Sequence, residues 1–322
     1  MIKESKLNLV ILLILFFLPL ISFFFDEPYL TTLATKIIIL SIAGIGLNFI
    51  LGYGGLVSFG HAAFFGMGGY ITGILAFHAQ NSEPFYFFTE FTASNQIIIV
   101  WLISILICAL LAFFIGFFSL RTSGVYFIMI TLAFAQMLYY FSISWPAYGG
   151  EDGLSIYMRN IFPYFNTMNP MVFYFICFLL LILLIYFLKR ILNSPFGMVL
   201  QACKENEERV KSVGINPFKV KLLAFVISGA ITGLAGSLYT DLNRFVSPSV
   251  LSWQMSGEIM VLVILGGVAK LYGPILGAIF YIILEQTLGG ISENWQFWLG
   301  FIIILEVLFA KAGIMSFLLK RS

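Results

Sequence analysis

Residues 48–73 read Asn-Phe-Ile-Leu-Gly-Tyr-Gly-Gly-Leu-Val-Ser-Phe-Gly-His-Ala-Ala-Phe-Phe-Gly-Met-Gly-Gly-Tyr-Ile-Thr-Gly, with eight glycines, a single histidine and no Asp, Glu, Lys or Arg. The run is apolar enough for lipid, yet each glycine weakens a straight helix by about 1 kcal/mol relative to alanine. Within a helical bundle such glycines serve two ends. They let helix backbones approach closely, as Gly69 and Gly73 at i and i+4 would. They also let a helix break and turn backbone groups toward a cavity. An ionisable group at membrane depth usually faces such a cavity. Gly54, Gly55, Ser58, Gly60 and His61 are therefore expected on a solute path. Packing alone, with His61 bonded to a neighbouring carbonyl, is the competing reading.

The rest of the chain sets this stretch in a membrane. Its 322 residues are 61% hydrophobic and 10% charged, with 36 Phe, and the mean hydropathy is +1.01. Soluble domains are about half apolar and a quarter charged, because their own surface must be largely polar. A helix needs about 20 apolar residues to cross the hydrocarbon core. Clear runs lie at about 7–25, 30–52, 97–119, 124–144, 171–188, 220–241 and 295–310. Weaker ones at 55–78, 256–269 and 274–288 are glycine-rich or short, the last two broken by Gly266, Gly267, Gly273 and Pro274. The expected fold is an all-α, polytopic transmembrane helical bundle of eight to ten spans, some broken or re-entrant, forming one domain over residues 1–322. The first run follows Lys3 and Lys6 but is too long for a signal-peptide core. It ends in Phe-Phe-Phe-Asp-Glu-Pro, not in small residues, and reads as a retained span.

Charge placement orients the bundle. With the N-terminus cytoplasmic, 14 of the 17 basic residues fall in cytoplasmic loops, Arg159 and Arg244 fall outside, and Lys36 lies within a span. Cytoplasmic loops carry such an excess, so both termini are expected in the cytoplasm. Two loops are long. One is external, about 145–170; the other is cytoplasmic, about 189–219, and is the most charged part of the chain. The glycine pairs Gly54-Gly55 and Gly266-Gly267 echo one another, which is too little to establish an internal repeat. Cys108, Cys177 and Cys203 have neither disulfide nor metal spacing.

The cytoplasmic loop has its own pattern from Asn193 to Pro217. Ser194 suits an N-cap and Pro195 the first helical turn. Gly214 suits the position past a C-terminus, with Pro217 beyond. Between them Phe196, Val199, Leu200, Cys203, Val210 and Val213 recur at helical spacing, opposite Gln201, Lys204, Glu205, Glu208, Arg209 and Lys211. One amphipathic helix over about 195–213 is expected. It could lie among lipid headgroups, but Glu205, Glu207 and Glu208 oppose attraction to anionic lipid. A docking element for a cytoplasmic partner fits better. Three carboxylates, Glu258, Glu285 and Glu306, fall within spans. Glu285 and Glu306 are near enough to span ends to snorkel. All three must face protein, water or the interface, or be protonated; Glu258, beside the external mouth of a short helix, is the candidate to meet an ammonium group in transit, and Lys36 is available to pair with one of the three.

Ala202-Cys203-Lys204-Glu205-Asn206-Glu207, with Gly214 and Asn216 downstream, resembles the coupling loop of ABC importer permeases, closest to the branched-chain amino acid family. The 48–73 stretch resembles the signature of that family's LivM-type permease. Thr131-Leu132-Ala133-Phe134, Gly149-Gly150-Glu151-Asp152-Gly153-Leu154 (with Tyr148 for the usual Thr), Gly233-Leu234-Ala235-Gly236 and Gly266-Gly267…Gly273-Pro274 extend the likeness over 48–280. The resemblance implies a permease subunit of an ATP-driven importer in the bacterial inner membrane, working by alternating access on branched-chain or related hydrophobic amino acids. It implies a LivH-like second permease in a heterodimer, two cytoplasmic ATPases that bind ATP and Mg, and an external substrate-binding protein. Ala202, Lys204, Glu205, Asn206, Glu207 and Gly214 would then form the ATPase coupling element.

No G-x-x-x-x-G-K-[ST], H-E-x-x-H or G-x-S-x-G occurs, and only His61 and His78 are present. ATP hydrolysis, a metal site and a catalytic centre are therefore not expected in this chain, nor is a nucleic-acid partner. Two alternatives stand beside the leading reading. One is an ABC permease for urea or short amides, whose relatives share these motifs. The other is an ion-coupled secondary transporter using the buried carboxylates and Lys36.

Overall fold

The computed structural model describes residues 4–24, 27–81, 94–291, 293–309 and 313–320. Lys3, Lys311 and Arg321, three of the basic residues expected in the cytoplasm, lie outside the described residues, as does the Lys320 side chain. Among the described residues the chain is helical almost throughout: α1 (Glu4–Phe24), α2 (Pro28–Asn48), α3 (His61–Asn81), α4 (Ile97–Ser119), α5 (Val125–Ile143), α6 (Pro170–Leu192), α7 (Pro195–Glu205), α8 (Glu207–Ser212), α9 (Pro217–Asn243), α10 (Trp253–Gly266), α11 (Gly273–Ile291), α12 (Trp295–Phe309) and α13 (Gly313–Lys320). Its one sheet is a two-residue pair, β1 (Leu154–Ser155) against β2 (Phe245–Val246), antiparallel. Among the described residues seven helices are long and apolar enough to cross a membrane: α2 with its extension, α3, α4, α5, α6, α9 and α11. Three shorter apolar helices, in α1, α10 and α12, accompany them.

The glycine-rich run does not form one span over 55–78. A π-helical turn, Phe49–Tyr53, extends α2. Gly55, at φ +71°, then turns the chain, and the Leu56 N–H returns to the Ile50 carbonyl at 3.0 Å to close the helix end. Residues 54–60 are non-helical, and α3 begins at His61. The other weak runs separate in the same way. The 14 residues of α10 span about 21 Å at 1.5 Å per residue, short of a hydrocarbon core of about 30 Å. After a turn through 267–272, α11 runs for 19 residues.

Burial separates the centre of the bundle from its rim. Of the most apolar window of each helix, 89% is buried in α2 and 72% in α9, against 22% in α5. Helices α4, α5 and α6 instead turn side chains such as Leu106, Leu110, Met129, Leu179 and Leu183 outward, the pattern of a surface facing hydrocarbon or another apolar subunit. Close backbone contact holds α3 to α9. A Cβ on Gly68 would lie 1.9 Å from the Gly233 carbonyl oxygen, and one on Gly236 1.7 Å from that of Phe65. The tightest approaches are thus at Gly236 and Gly68. The expected pair Gly69 and Gly73 instead packs on Thr240 and Val246 side chains. In α1, Pro19 offers no N–H to the carbonyl four residues back. The buried Tyr174 hydroxyl of α6 donates to that Leu15 carbonyl and fills the gap.

Candidate functional site

The chain leaves the bundle after α6 and returns at α9, building α7 and α8 on the way. Pro195 opens α7 as expected, but Ser194 does not cap it; its hydroxyl donates back to the Ile191 carbonyl at 2.6 Å. The single helix expected over 195–213 is two helices. Asn206 sits between them in extended conformation, φ −159° and ψ 104°. Its Oδ1 accepts the Arg209 N–H at 3.1 Å, so the residue that ends α7 caps α8. Gly214, at φ +86°, ends the excursion, and Asn216 caps α9 by accepting the Phe218 N–H at 3.0 Å. Leu200, Cys203 and Val210 form the buried face. Val213, expected on that face, is 78% exposed, because the break at Asn206 reorients the second helix.

Two ties fix the excursion to the bundle. Glu207 pairs with Lys221 of α9. Lys204 Nζ donates to the Gly52 carbonyl at 2.7 Å, and a Cβ on Gly55 would meet the Lys204 stem at 2.8 Å. The Lys211–Glu208 pair, by contrast, is a surface contact of the kind that contributes under about 1 kcal/mol. Gly54, Gly55, Lys204, Glu205 and Glu207 thus come together around a cavity of about 850 Å³, with Arg121 from the α4–α5 turn. On the outer side α7 and α8 form a notch of about 480 Å³, where Ala202, Glu205, Arg209, Val213 and Ile215 are exposed.

The tie at Gly52 continues inward through a residue not anticipated from the sequence. Asn48 is fully buried. Its Nδ2 donates to the Lys270 carbonyl at 2.8 Å, and its Oδ1 accepts the Ala269 N–H at 3.0 Å. The turn between α10 and α11 is therefore stitched to the end of α2, beside the carbonyl that Lys204 holds. A polar amide at the head of a glycine-rich apolar run was the available signal.

Ser58, Gly60 and His61 go elsewhere. His61 is fully buried in the chain's own core. Its Nε2 lies 2.8 Å from Ser228 Oγ, and Ser228 donates its one proton to the Gly46 carbonyl at 2.5 Å. Nε2 must then carry the proton that Ser228 accepts, leaving Nδ1 to accept from Ser58 Oγ at 3.2 Å. Ser58 Oγ also accepts the Gly60 N–H at 3.2 Å. Phe64 and Phe225 meet the imidazole edge-on. This neutral His61 ties α2, α3 and α9 together and is buried among them, the packing arrangement. Ser228, its essential partner, had no sequence signal beyond being a serine in an apolar helix.

The opposite end of the bundle carries two of the span carboxylates, Glu258 and Glu285. Glu285 does not snorkel; both its oxygens accept from Lys36 Nζ, at 3.0 and 3.2 Å. The carboxylate oxygens of Glu306 are shielded and have no hydrogen-bond partner among the described residues. Glu258 lines an open cavity of about 420 Å³ with Tyr139 and Tyr239. Nearby, the long loop is latched to the end of α9. Arg159 donates to the carbonyls of Asp241, Leu242 and Thr167 at 3.0, 3.3 and 3.0 Å. Asn160 Nδ2 donates to the buried Asp241 Oδ1 at 2.8 Å. Burial and the Arg244 charge push the Arg159 pKa down from its usual value, and the Asp241 carboxylate opposes them. No group of three or more metal-ligating side chains occurs among the described residues.

Comparison with known proteins shows the family. Residues 29–308 match the family described as "Branched-chain amino acid transport system / permease component". The chain is similar to the high-affinity branched-chain amino acid transport system permease protein LivM of Escherichia coli (strain K12), 26% identical over 307 residues, covering 88% of this chain and 69% of that one. It is also similar to the probable branched-chain amino acid transport permease protein LivM of Methanocaldococcus jannaschii, 28% identical over 290 residues, covering 80% and 81%. The probable LivH permease of the same organism matches over a shorter stretch, 29% identical over 122 residues, 36% of this chain and 34% of that one. No solved structure matches.

Proposed function

Because this chain belongs to the branched-chain amino acid transport permease family, we propose that it is one membrane subunit of an ATP-driven importer for branched-chain or related hydrophobic amino acids. The reading sets both termini and the α7–α8 excursion in the cytoplasm of a bacterial inner membrane. A LivH-like second permease pairs with this one, two cytoplasmic ATPase subunits bind ATP and Mg, and an external binding protein delivers the solute. The chain itself performs no chemistry. ATP binding closes the ATPases, and α7 and α8 pass that motion to the spans, which alternate access between the two sides.

One observation carries this reading: the outer notch of α7 and α8. A notch with Val213 at 78% and Ile215 at 37% exposure, flanked by the exposed charges of Glu205 and Arg209, is an apolar surface rimmed by charge, the character of a protein docking site. Its inner face is tied to α9 and to the end of α2, so a force applied at the notch reaches the bundle. The urea or short-amide alternative shares this element and differs only in the solute.

Co-purification from native membrane in mild detergent tests the assignment. Glu205→Arg with Val213→Asp alters exposed residues that make no ion pair within the described chain, whereas Glu207→Arg would also break the internal pair with Lys221. The expected result is an ATP-hydrolysing subunit that accompanies the wild-type chain and is lost from the double variant. A well-folded wild-type chain that brings down no ATPase refutes the importer reading and directs attention to ion-coupled uptake.

A further inference from the structure

Three ionisable side chains meet where α10 lies against α2 and α11. Lys36 and Glu285 satisfy one another through both carboxylate oxygens. Glu258 lies within electrostatic range of both, yet it has no hydrogen bond or ion pair among the described residues. The cluster therefore holds one cation against two carboxylates, and the carboxylate left over is Glu258. An unpaired carboxylate at membrane depth is costly unless something meets it.

What it faces is the open cavity of about 420 Å³, within the range of about 300–1,000 Å³ for small-molecule sites. Tyr139 of α5 and Tyr239 of α9 form one side. Ser252, Gln254 and Met255, at the start of α10, form the other with Glu258. No Lys, Arg or Asp lines it, so Glu258 supplies its only formal charge. Side chains on a helix lean toward the helix N-terminus, which carries the Glu258 carboxylate toward Gln254 and the mouth. The wall thus joins one anionic acceptor, neutral hydroxyl and amide groups, and apolar surface from two aromatic rings and a methionine.

We infer that this cavity is the chain's receiving site for solute, and that it takes a primary ammonium on a small apolar body, the ammonium end of an aliphatic amino acid, in preference to a neutral urea or short amide. The inference rests on the permease reading and narrows its substrate class. Glu258 accepts from the ammonium in a charge-assisted bond. The Ser252 hydroxyl and the Gln254 amide are donors for the amino acid's own carboxylate, and the rings and Met255 cover its side chain. The Lys36–Glu285 pair balances itself and leaves the Glu258 charge available.

The test uses the whole transporter, with its ATPases and binding protein, in ATP-loaded proteoliposomes. Glu258→Gln keeps the shape and removes the charge; leucine uptake is expected to fall about tenfold or more, the loss of one charge-assisted bond. Glu258→Asp, which keeps the charge on a shorter arm, is expected to recover part of the uptake at a raised KM. A second measurement needs no variant. A hydrophobic carbodiimide labels Glu258 in the wild-type complex, read by peptide mass spectrometry, and leucine slows the labelling with increasing concentration while urea does not. Glu258→Gln transporting within about twofold of wild type, or labelling that leucine fails to slow, overturns the site. ATP-driven uptake of urea without leucine overturns the ammonium assignment and leaves the permease reading standing. ATP-driven uptake of neither overturns the permease reading itself.

Discussion

Asn48→Ala is the substitution that bears most directly on how α7 and α8 are linked to the spans. The Asn48 side chain is fully buried and bonded at both ends, to the Ala269 N–H and the Lys270 carbonyl. Its removal strips a donor and an acceptor of these partners. Stranding such a group costs about 1–3 kcal/mol when burial is complete. Ala269 and Lys270 are only half-buried, so the lower end applies to each, and the two together cost about 2 kcal/mol. That is a change of about 30-fold in the population of the stitched turn. Asn48→Asp is almost the same size but sets an oxygen against the Lys270 carbonyl, so it should do no better than alanine. The assay is leucine uptake per ATP hydrolysed in the reconstituted transporter. The notch is untouched, so the ATPases still co-purify, while uptake per ATP falls about tenfold. A variant with wild-type stoichiometry and wild-type thermal stability would refute the claim that this turn is held by Asn48 and moved through it.

Three further outcomes are expected. Gly68→Ala places a Cβ 1.9 Å from the Gly233 carbonyl and must push α3 from α9, at about 1–3 kcal/mol or more; Gly289→Ala, with nothing within 4 Å of its Cβ, should be neutral or slightly stabilising, and thermal unfolding in detergent compares the two. Lys204→Met keeps the aliphatic stem and removes the bond to the Gly52 carbonyl, so ATP hydrolysis persists while uptake declines; equal loss of both would contradict the tie. Arg159→Met abandons three carbonyls at the end of α9 and in the loop, a loss of about 3 kcal/mol that should make residues 155–169 sensitive to protease added outside, whereas unchanged cleavage would show the latch to be redundant.

The hydrophobic runs were legible because lipid imposes a length and a composition on whatever crosses it. All ten apolar helices fall on runs visible in the sequence, including α10 and α11, whose glycine and proline breaks mark the turn at 267–272. The excursion at 193–217 was legible for a different reason: Pro195, Gly214 and Pro217 punctuate it. Its division at Asn206 was not, because an asparagine inside a helical pattern reads equally well as a surface residue or a cap. The partners of His61 were not legible on similar grounds. A histidine in an apolar run signals an environment that satisfies it, and two serines satisfy it as well as a water-lined path does. Ser228 lies 167 positions from His61, and no local pattern reports a contact at that separation. Glu258 and Glu285 show the limit most sharply. Both are glutamates on apolar helices, and only the position of Lys36 decides which is neutralised and which is left to act.

That decision connects the two ends of the molecule. From the notch, contacts run through Lys204 to the Gly52 carbonyl, past Asn48, to the turn that ends α10. Glu258 stands eight residues from Gly266, the end of α10, a distance of about 12 Å along a helix that moves as one piece. The turn at 267–272 joins α10 to α11 and is held to α2 by the two Asn48 bonds, while α10 itself packs on α2 and α11. A displacement of the excursion therefore reaches Glu258 without having to deform a continuous span, which a straight helix in place of α10 and its turn would require. Adjacency of contacts is not yet coupling; a two-state element must respond. The comparison of Asn48→Ala with Glu258→Gln supplies the discriminating case. If the path is used, the first variant hydrolyses ATP without moving solute, and leucine still slows carbodiimide labelling of its Glu258. The second fails at the solute itself. If both lose leucine recognition alike, Asn48 only shapes the cavity, and the motion must reach the spans through α9.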